Sequence, residues 1–243
     1  MRKFVQMIGV VVVLMLVSAC SNETEKEQYV LYAGHSLAED HPFELAMKEL
    51  AKNVEDRSDG RLKIETFPLS QLGAERELVE GLTLGSVDLV VSTSGPIMNF
   101  VSDFGVLDLP FLFNNRESAV AVLEGEIGDD LFAQLREKGI VGLSWGENGF
   151  RHVTNSIQPI ATPDDIKGVS LRVQENKVFI DAFEALGAKP SPMAWTEALT
   201  ALQSGVVDGQ ENPILVIDSY KLFDAGQTHM TLTGHAYSSA VFM

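Results

Sequence analysis

The segment ALTALQSGVVDGQENP, residues 198–213, carries more information about the fold than any other stretch of this chain. Its alanine-rich first part predicts a helix that ends at Gly205, because glycine readily adopts the left-handed conformation that closes a helix. A short strand is then predicted at 206–208, followed by Gln-Glu-Asn-Pro, a polar cluster that the proline keeps extended. Polar side chains fixed at the end of a strand predict a place where a ligand is held.

A looser copy of this segment occurs earlier, in LVEGLTLGSVDLVVSTSGP at residues 78–96. Gly85, Ser86, Val87 and Asp88 stand there where the later segment has glycine, valine, valine and Asp208. Two copies of one helix–turn–strand unit predict two similar lobes with a ligand between them.

The rest of the chain alternates between predicted strands and helices, as in an α/β protein. Each half is predicted as β-α-β-α-β, with strands at 29–33, 61–67 and 87–91, and again at 169–173, 188–193 and 206–208. A longer helix at 117–138 and a strand at 140–145 are predicted between the halves. Because strands separated by single helices form parallel sheets, the ligand is expected at their carboxyl ends.

The N-terminus has the pattern of a secretory signal. Arg2 and Lys3 precede an apolar run at 7–17, which is too short to span a bilayer, where roughly 20 residues are needed. The one cysteine of the chain, Cys20, follows directly and resembles the lipidated residue of a bacterial lipobox. We therefore predict a signal peptide at 1–19, a lipid anchor on Cys20 and a flexible linker through residue 28. An ordinary signal peptide with an idle thiol is the alternative.

The charge of the chain limits its partners. The formal net charge is −16, and removal of residues 1–19 shifts it to −18 because two basic residues and no acid are lost. Such a chain repels nucleic acid and anionic lipid headgroups. One cysteine allows no internal disulfide, so packing alone must hold the core. An anionic ligand would need strong local compensation, most naturally from an arginine.

Several blocks together carry a family resemblance. They are LYAGHS at 31–36, HP at 41–42, DGRLKIETFP at 59–68, QLGAERELVEGL at 71–82, FGVLDLPFLF at 104–113, GENGFRHVTNS at 146–156, PDDIKGVSLRV at 163–173 and the segment 198–213. In this order they resemble the solute-binding proteins of tripartite ATP-independent periplasmic (TRAP) transporters, of the C4-dicarboxylate-binding type.

The resemblance implies a two-lobed, periplasmic-binding-protein-like (type II-like) α/β fold. Each lobe would be a sheet flanked by helices, closing on a small organic acid and delivering it to the membrane subunits of a TRAP permease. On this basis lobe I comprises 29–148 plus 236–243, and lobe II comprises 149–235. Family members continue with a connecting helix and C-terminal helices after the strand at 239–243, so the chain is expected to be C-terminally truncated.

Arg172 is the main candidate for holding a carboxylate. In the strand at 169–173 the period of two places Val169, Leu171 and Val173 on one face and Arg172 on the other. A guanidinium there can bind a carboxylate through two parallel hydrogen bonds, which lysine cannot do. The resemblance implies that Arg172 clamps the ligand carboxylate and that Asn212 assists it. A solvated strand arginine and a turn asparagine are the alternatives.

The other candidates are weaker, and each has a structural alternative. Arg151 matches a second family arginine near the ligand, or else stabilises the crossing between lobes. Trp195 matches an aromatic position that lines the cleft, or else belongs to the core. First-lobe contacts are predicted for His35, Glu75 and the segment 92–94, which includes Ser94. All of them lie at strand ends or helix N-termini, where ordinary capping is the competing role.

One short motif is typical of an enzyme. Residues 142–146, GLSWG, fit the G-x-S-x-G nucleophile elbow around Ser144, with possible partners Asp208 or Asp218 and His229 or His235. An elbow needs a helix after the serine, whereas the residues that follow predict loop and strand. The five histidines show no metal-binding spacing, and no glycine-rich phosphate loop is present.

The sequence therefore predicts a lipid-anchored, extracytoplasmic binding protein for a small carboxylate, without catalysis, metal or cofactor. It would lie in the periplasm or on the outer face of the cell membrane. Closure of the lobes around the ligand would create the form that a permease recognises. A receptor that reports its ligand to a membrane signalling protein is the alternative.

Overall fold

The computed structural model describes residues 27–243. The predicted signal peptide, Cys20 and most of the predicted linker lie outside the described residues. The strands are β1 (Tyr29–Gly34), β2 (Leu62–Phe67), β3 (Leu89–Thr93), β4 (Ser144–Asn155), β5 (Ser170–Val173), β6 (Lys189–Pro192), β7 (Gly209–Pro213) and β8 (His229–Phe242). The α-helices are α1 (Pro42–Arg57), α2 (Glu75–Leu84), α3 (Ser94–Ile97), α4 (Arg116–Leu123), α5 (Glu126–Glu137), α6 (Lys177–Ala185), α7 (Trp195–Gln203) and α8 (Ile214–Ser219). Short 3-10 helices cover Ser102–Asp108 and Pro163–Ile166.

These strands form one mixed sheet in the order β2-β1-β3-β8-β4-β7-β5-β6. At one end β1 pairs in parallel with β2 and β3, and at the other β5 pairs in parallel with β6 and β7, as strands joined by helices do. The long strands β4 and β8 run antiparallel through the centre, where β8 pairs with β3 and β4 pairs with β7. The predicted α/β class is confirmed, with these two strands linking the parallel units.

The repeated segment makes the same contact in both halves. The Asp88 carboxylate accepts a hydrogen bond from Tyr32 N at 2.8 Å, while Asp88 N donates to Tyr32 O at 3.0 Å. The Asp208 carboxylate accepts from Ser170 N at 2.8 Å, while Asp208 N donates to Ser170 O at 2.8 Å. Each aspartate thus ties the turn after a helix to the neighbouring parallel strand.

The strands that follow these turns begin later than predicted. β7 starts at Gly209 instead of 206, and β3 starts at Leu89 instead of 87. The reason is that each aspartate is already bonded to the adjacent strand, so the regular ladder begins only after it. As a result, Gln-Glu-Asn-Pro lies inside β7 and is buried, and does not follow the strand.

The predicted connection between the halves also differs. The helix predicted at 117–138 divides at Gly125 into α4 and α5, and Gly128 lets the two pack closely, since a Cβ there would lie 1.7 Å from Leu123 O. The strand predicted at 140–145 starts only at Ser144, because Ile140 N still donates to Leu135 O of α5, at 3.1 Å. Ser144 opens a long strand, so no strand–turn–helix elbow forms around it.

Buried apolar clusters anchor helices in each half. In the first half, α2 and α5 contribute Leu78 and Leu135 to one cluster, and α1 contributes Met47 to another. In the second half, α6 packs on β5 through Phe179, and α8 contributes Ile217 to a cluster with α7. The exact boundaries of the two lobes stay a prediction.

Within residues 27–243, no helix combines the length and apolar character needed to cross a membrane.

Candidate ligand-binding site

Four of the predicted site residues line one small cavity: Glu75, Arg172, Trp195 and Asn212. Its remaining lining is Ser36, Leu37, Thr93, Asn148 and Gln174. An adjoining cavity shares Glu75, Arg172, Gln174 and Trp195. Each has a free volume of only about 10 Å³, so their walls nearly touch. The cavity lies between residues of the first half and residues of the second.

Arg172 is a buried cation in the lining of this cavity. Its side chain lies on β5 and is 3% exposed, and Nε and Nη2 both donate to the Met193 carbonyl, at 3.1 and 2.8 Å. No carboxylate among residues 27–243 forms an ion pair with it. Burial lowers the pKa of Arg172 to about 10, although Glu211 and Glu75 favour its charge. The edge formed by Nη1 and Nη2 therefore remains available for an anion.

Trp195 covers one side of that guanidinium. It is the first residue of α7, and its ring centroid lies 5.3 Å from the Arg172 guanidinium carbon. Its ring also packs edge-to-face on Tyr220 at 5.0 Å, and the Tyr220 hydroxyl donates to Ser36 O at 3.1 Å. This chain of contacts connects the second half to the loop after β1.

Asn212 is held in place by the polar residues of β4 and β7. Its Nδ2 donates to Gln210 Oε1 at 2.6 Å, and its Oδ1 accepts from Arg151 Nη2 at 3.1 Å. It is 5% exposed and lines the same cavity as Arg172. The amide is thus oriented before any ligand arrives.

Arg151 lies inside the sheet and does not line either cavity. It is fully buried, forms an ion pair with the Glu211 carboxylate, and donates to Glu211 O at 2.7 Å. His235 Nε2 lies 3.2 Å from the same carboxylate. Burial alone would raise the pKa of Glu211, but the Arg151 charge and the hydrogen bonds from His235 and Arg151 lower it to about 2. In this structure Arg151 positions Asn212.

Glu75 brings a second ionisable group into the cavity. It is the first residue of α2, and its two carboxylate oxygens accept from Thr93 N and Thr93 Oγ1, at 3.3 and 3.2 Å. Burial raises the pKa of Glu75, although the hydrogen bonds from Thr93 and the charges of Arg172 and Arg151 oppose that effect. An acid therefore faces the same space as the unpaired arginine.

The structure does not bring His35 and Ser94 into the lining of the cavity. The His35 ring is fully buried, with Nε2 3.0 Å from Glu44 Oε2 and Nδ1 accepting from Leu37 N at 3.2 Å. The Ser94 hydroxyl donates to Asp108 Oδ1 at 2.7 Å. Their chain neighbours, Ser36 and Thr93, line the cavity instead.

Sequence reasoning missed Asn148 and Gln174 as lining residues. Gln174 continues the polar face of β5 and donates to Thr93 Oγ1 at 3.0 Å, and this alternation could have identified it. Asn148 stands three residues before Arg151 in the block 146–156, and no periodicity singles it out. Its Oδ1 is buried and has no hydrogen-bond partner among the described residues.

Two larger cavities suit an organic anion less well. One, of about 520 Å³, is lined by Asp103 and Asp130, which repel anions. Another, of about 490 Å³, is bounded mainly by apolar side chains, including those of α6 and the 3-10 helix Pro163–Ile166, together with Thr231, Thr233 and His235 of β8. Neither contains an unpaired cation.

Within residues 27–243, no group of histidine, cysteine and acidic side chains is arranged to hold a metal.

Comparison with known proteins identifies the family. Residues 33–243 match the model of bacterial extracellular solute-binding proteins, family 7. The chain belongs to this family. A solute-binding protein of Verminephrobacter eiseniae is 47% identical over 220 residues, which cover 90% of this chain and 65% of that protein. The chain thus spans somewhat less than two thirds of that family member's length.

Solved structures of family members have the same fold. A TRAP periplasmic solute-binding protein of Polaromonas sp. JS666, bound to D-erythronate, superposes with a TM-score of 0.86 at 45% identity, covering 88% of this chain and 71% of that one. The sugar-acid-binding protein of Advenella mimigardefordensis, in complex with galactonate, gives a TM-score of 0.86 at 40% identity, covering 90% of this chain and 70% of that one. The predicted family is confirmed.

Proposed function

We propose that this protein captures a small organic acid outside the cytoplasm and delivers it to a TRAP-type membrane permease. The observation that carries the proposal is Arg172, a buried guanidinium with no carboxylate partner among the described residues. A desolvated charge is costly unless it is paired. A ligand carboxylate on the free Nη1–Nη2 edge would supply that pairing with two parallel hydrogen bonds.

Family members support this class of ligand. The Polaromonas protein holds D-erythronate and the Advenella protein holds galactonate, both of which present a carboxylate. The predicted pair of Arg172 and Asn212 lies in one cavity, where Arg151 orients the asparagine. We therefore assign the carboxylate to Arg172, with Asn212 as the second polar contact.

Binding requires the walls of the cavity to separate and close again. A volume of about 10 Å³ is roughly that of one water molecule, so an organic acid cannot enter without movement. Hydrogen bonds from Gln174 to Thr93 and from Asn99 to Glu175 O, both 3.0 Å, cross between the halves next to the cavity. We infer that these bonds open for entry while β4 and β8 bend, and that they reform over the ligand.

A ligand screen tests the proposal. A ligand at a hundredfold its dissociation constant adds about 2.7 kcal/mol of stability, or roughly 5–11 °C in unfolding midpoint for a chain of this size. We expect one or more organic acids to produce such a shift, and their amides, which lack the charge, to produce none. Equal shifts from acid and amide would contradict a carboxylate site.

We also propose that Cys20 carries a lipid anchor, since it directly follows the short apolar run of the predicted signal peptide. Changing Cys20→Ser should move the processed protein from the membrane fraction to the soluble extracytoplasmic fraction. A variant that stays with the membrane as firmly as the parent would show that another element holds it.

We propose further that the protein is not an enzyme. Ser144 begins β4 and is followed by eleven more strand residues, so it lacks the exposed turn of a hydrolase nucleophile. A fluorophosphonate probe should leave Ser144 unlabelled. Stoichiometric labelling that disappears in Ser144→Ala would overturn this assignment.

A further inference from the structure

Tyr220 connects the two halves of the molecule from a position outside the cavity. It follows the last residue of α8 and belongs to the lining of neither small cavity. Its hydroxyl donates to Ser36 O, in the loop after β1, at 3.1 Å. Burial raises the pKa of Tyr220 above its usual value, so the hydroxyl keeps its proton and acts as the donor. A side chain of the second half is thus bonded to backbone of the first half, next to the site.

The acceptor of this hydrogen bond is fixed in place. The neighbouring carbonyls, of His35 and Leu37, both accept hydrogen bonds from the backbone of the turn at 69–70, at 3.0 and 2.9 Å. Ser36 is only 4% exposed, so little water reaches its carbonyl while the halves are together. Without the Tyr220 hydroxyl this carbonyl would be buried and unpaired, which costs free energy.

The ring of Tyr220 supports the other side of the site. It packs edge-to-face on Trp195, with ring centroids 5.0 Å apart, and Trp195 in turn covers the Arg172 guanidinium at 5.3 Å. One helical turn before Tyr220, Val216 is fully buried in a cluster whose other buried members belong to the first half and to β8. Tyr220 and Trp195 pack against the same cluster. This face of α8 is therefore covered by the first half.

We propose that Tyr220 is a positioning residue that sets how long the closed, ligand-bound form lasts. Its hydroxyl holds the second half to Ser36, and its ring holds Trp195 against Arg172. Neither contact involves the ligand, so Tyr220 acts through its neighbours. This inference rests on the proposed function, in which the halves separate for entry and close over an organic acid. It adds a residue outside the cavity that controls release.

Tyr220→Phe in the full chain tests the hydroxyl, because it keeps the ring and removes one hydrogen bond. In the open form Ser36 O can bond to water instead, so only the closed form is destabilised. The probe is D-erythronate, which a relative holds. Its dissociation rate should rise about twofold to tenfold, while its association rate should change little. Tyr32→Phe is the matched control, since it removes a hydroxyl from an exposed tyrosine of β1 and should leave both rates unchanged.

Trp195 supplies the signal for a stopped-flow measurement. The chain has two tryptophans, and the other, Trp145, stacks on Phe132 in the first half and is not part of the cavity lining. In a Trp145→Phe background all tryptophan emission comes from Trp195, and binding of D-erythronate should change it. Tyr220→Leu removes the ring as well as the hydroxyl. Its dissociation rate should therefore exceed that of Tyr220→Phe, and its emission change on binding should be smaller.

A merely structural role would give different results. The unfolding midpoint of ligand-free Tyr220→Phe should match that of the parent, because the hydrogen bond belongs to the closed form. A lowered midpoint with a parent-like dissociation rate would overturn the proposal, and so would equal rate changes in Tyr220→Phe and Tyr32→Phe. If Tyr220→Leu shows the same rate and emission change as Tyr220→Phe, the role assigned to the ring is wrong.

The parent protein separates this inference from the proposed function. If another acid of the screen binds more tightly than D-erythronate, that acid becomes the probe. If the parent binds no acid at all, the proposed function fails and this inference fails with it. If the parent binds and Tyr220→Phe releases the acid at the parent rate, only the role of Tyr220 is refuted.

Discussion

Two buried arginines have opposite environments. Arg151 is paired with Glu211 inside the sheet, and its guanidinium makes hydrogen bonds to Glu211, Asn212 and Ser238. Within residues 27–243, the Arg172 guanidinium has only the Met193 carbonyl as a hydrogen-bond partner and the face of Trp195 beside it. The Arg151 charge is balanced inside the protein by the Glu211 carboxylate. Arg172 has no carboxylate partner in this part of the chain, so it favours an anion from outside.

Arg172→Lys should abolish organic-acid binding even though it keeps the positive charge. Lysine cannot present two parallel N–H groups to a carboxylate. Loss of one partner of a desolvated charge pair costs about 2–5 kcal/mol, or roughly thirtyfold to several thousandfold in affinity. Calorimetry with the strongest acid from the screen measures this, and parent-like affinity would exclude the bidentate clamp.

Arg151→Ala should affect folding more than any change at Arg172. Removing one partner of a buried pair leaves Glu211 uncompensated, at a cost of about 3–5 kcal/mol in the free energy of unfolding. Arg116→Ala is the control, because its pair with Glu147 lies at the surface and should contribute less than about 1 kcal/mol. Urea denaturation compares the two. Equal losses would mean that the Arg151 pair is not a structural element.

The site was only partly predictable from the sequence. The alternation in β5 correctly separates Arg172 from Leu171 and Val173, yet all three are buried, because a parallel strand is covered on both faces. Position at a strand end identified Glu75 but also selected His35 and Ser94, whose side chains turn to Glu44 and Asp108. Which polar group at a strand end remains without a partner depends on three-dimensional contacts.

At the scale of elements, β7 depends on a glycine at its first residue. A Cβ on Gly209 would lie 2.3 Å from Thr154 O, across the pairing of β7 with β4. Backbone at that distance cannot move aside without breaking the ladder that positions Asn212.

Gly209→Ala should therefore destabilise the protein and weaken ligand binding together, by about 1–3 kcal/mol in the free energy of unfolding. Gly105→Ala is the control, because the nearest atom to its new Cβ is the flexible end of Met98 at 3.0 Å. Thermal unfolding and calorimetry of both variants test this. A Gly209→Ala protein with parent-like stability and affinity would show that the strand pairing tolerates the shift.

The order and type of most elements could be predicted from periodicity and turn residues, while several boundaries could not. The starts of β3 and β7 depend on the hydrogen bonds of Asp88 and Asp208 to neighbouring strands. The length of β4 depends on its pairing with β8, which lies far away in sequence. Local patterns do not contain these contacts, and they also gave no indication that the two parallel units join into one sheet.

At the scale of the whole molecule, Asp108 connects the two halves. It ends the 3-10 helix Ser102–Asp108. Its carboxylate accepts a hydrogen bond from Ser94 Oγ at 2.7 Å and another from Asn176 Nδ2, at the start of α6, at 2.5 Å.

Burial raises the pKa of Asp108 to about 7, with the Glu211 charge acting in the same direction and Arg151 acting against it. Because the folded pKa exceeds the unfolded value of 3.8, this group stabilises the fold most below pH 3.8, and its contribution is lost as the pH rises through about 7.

Asp108→Asn should remove this pH dependence, because an amide can accept from Asn176 and donate to Ser94 without titrating. Between pH 5 and pH 8 the unfolding midpoint of the parent should fall further than that of the variant, by roughly 2–4 °C for each kcal/mol of linkage. Asp103→Asn, at an exposed position of the same 3-10 helix, should behave like the parent. Identical pH profiles for Asp108→Asn and the parent would refute the prediction.

The position of β8 at the centre of the sheet sets the order in which the molecule can be assembled. Its partner β3 lies roughly 150 residues earlier in the chain, so this pairing closes a very long loop and belongs to the slow class of folding events. Each parallel unit can collapse as soon as it is synthesised, but the two units cannot be joined into one sheet until β8 has been made. The family acts outside the cytoplasm, so its members must be exported. Because the sheet is completed late, a newly made chain stays incompletely folded for longer and can still pass through a secretion channel.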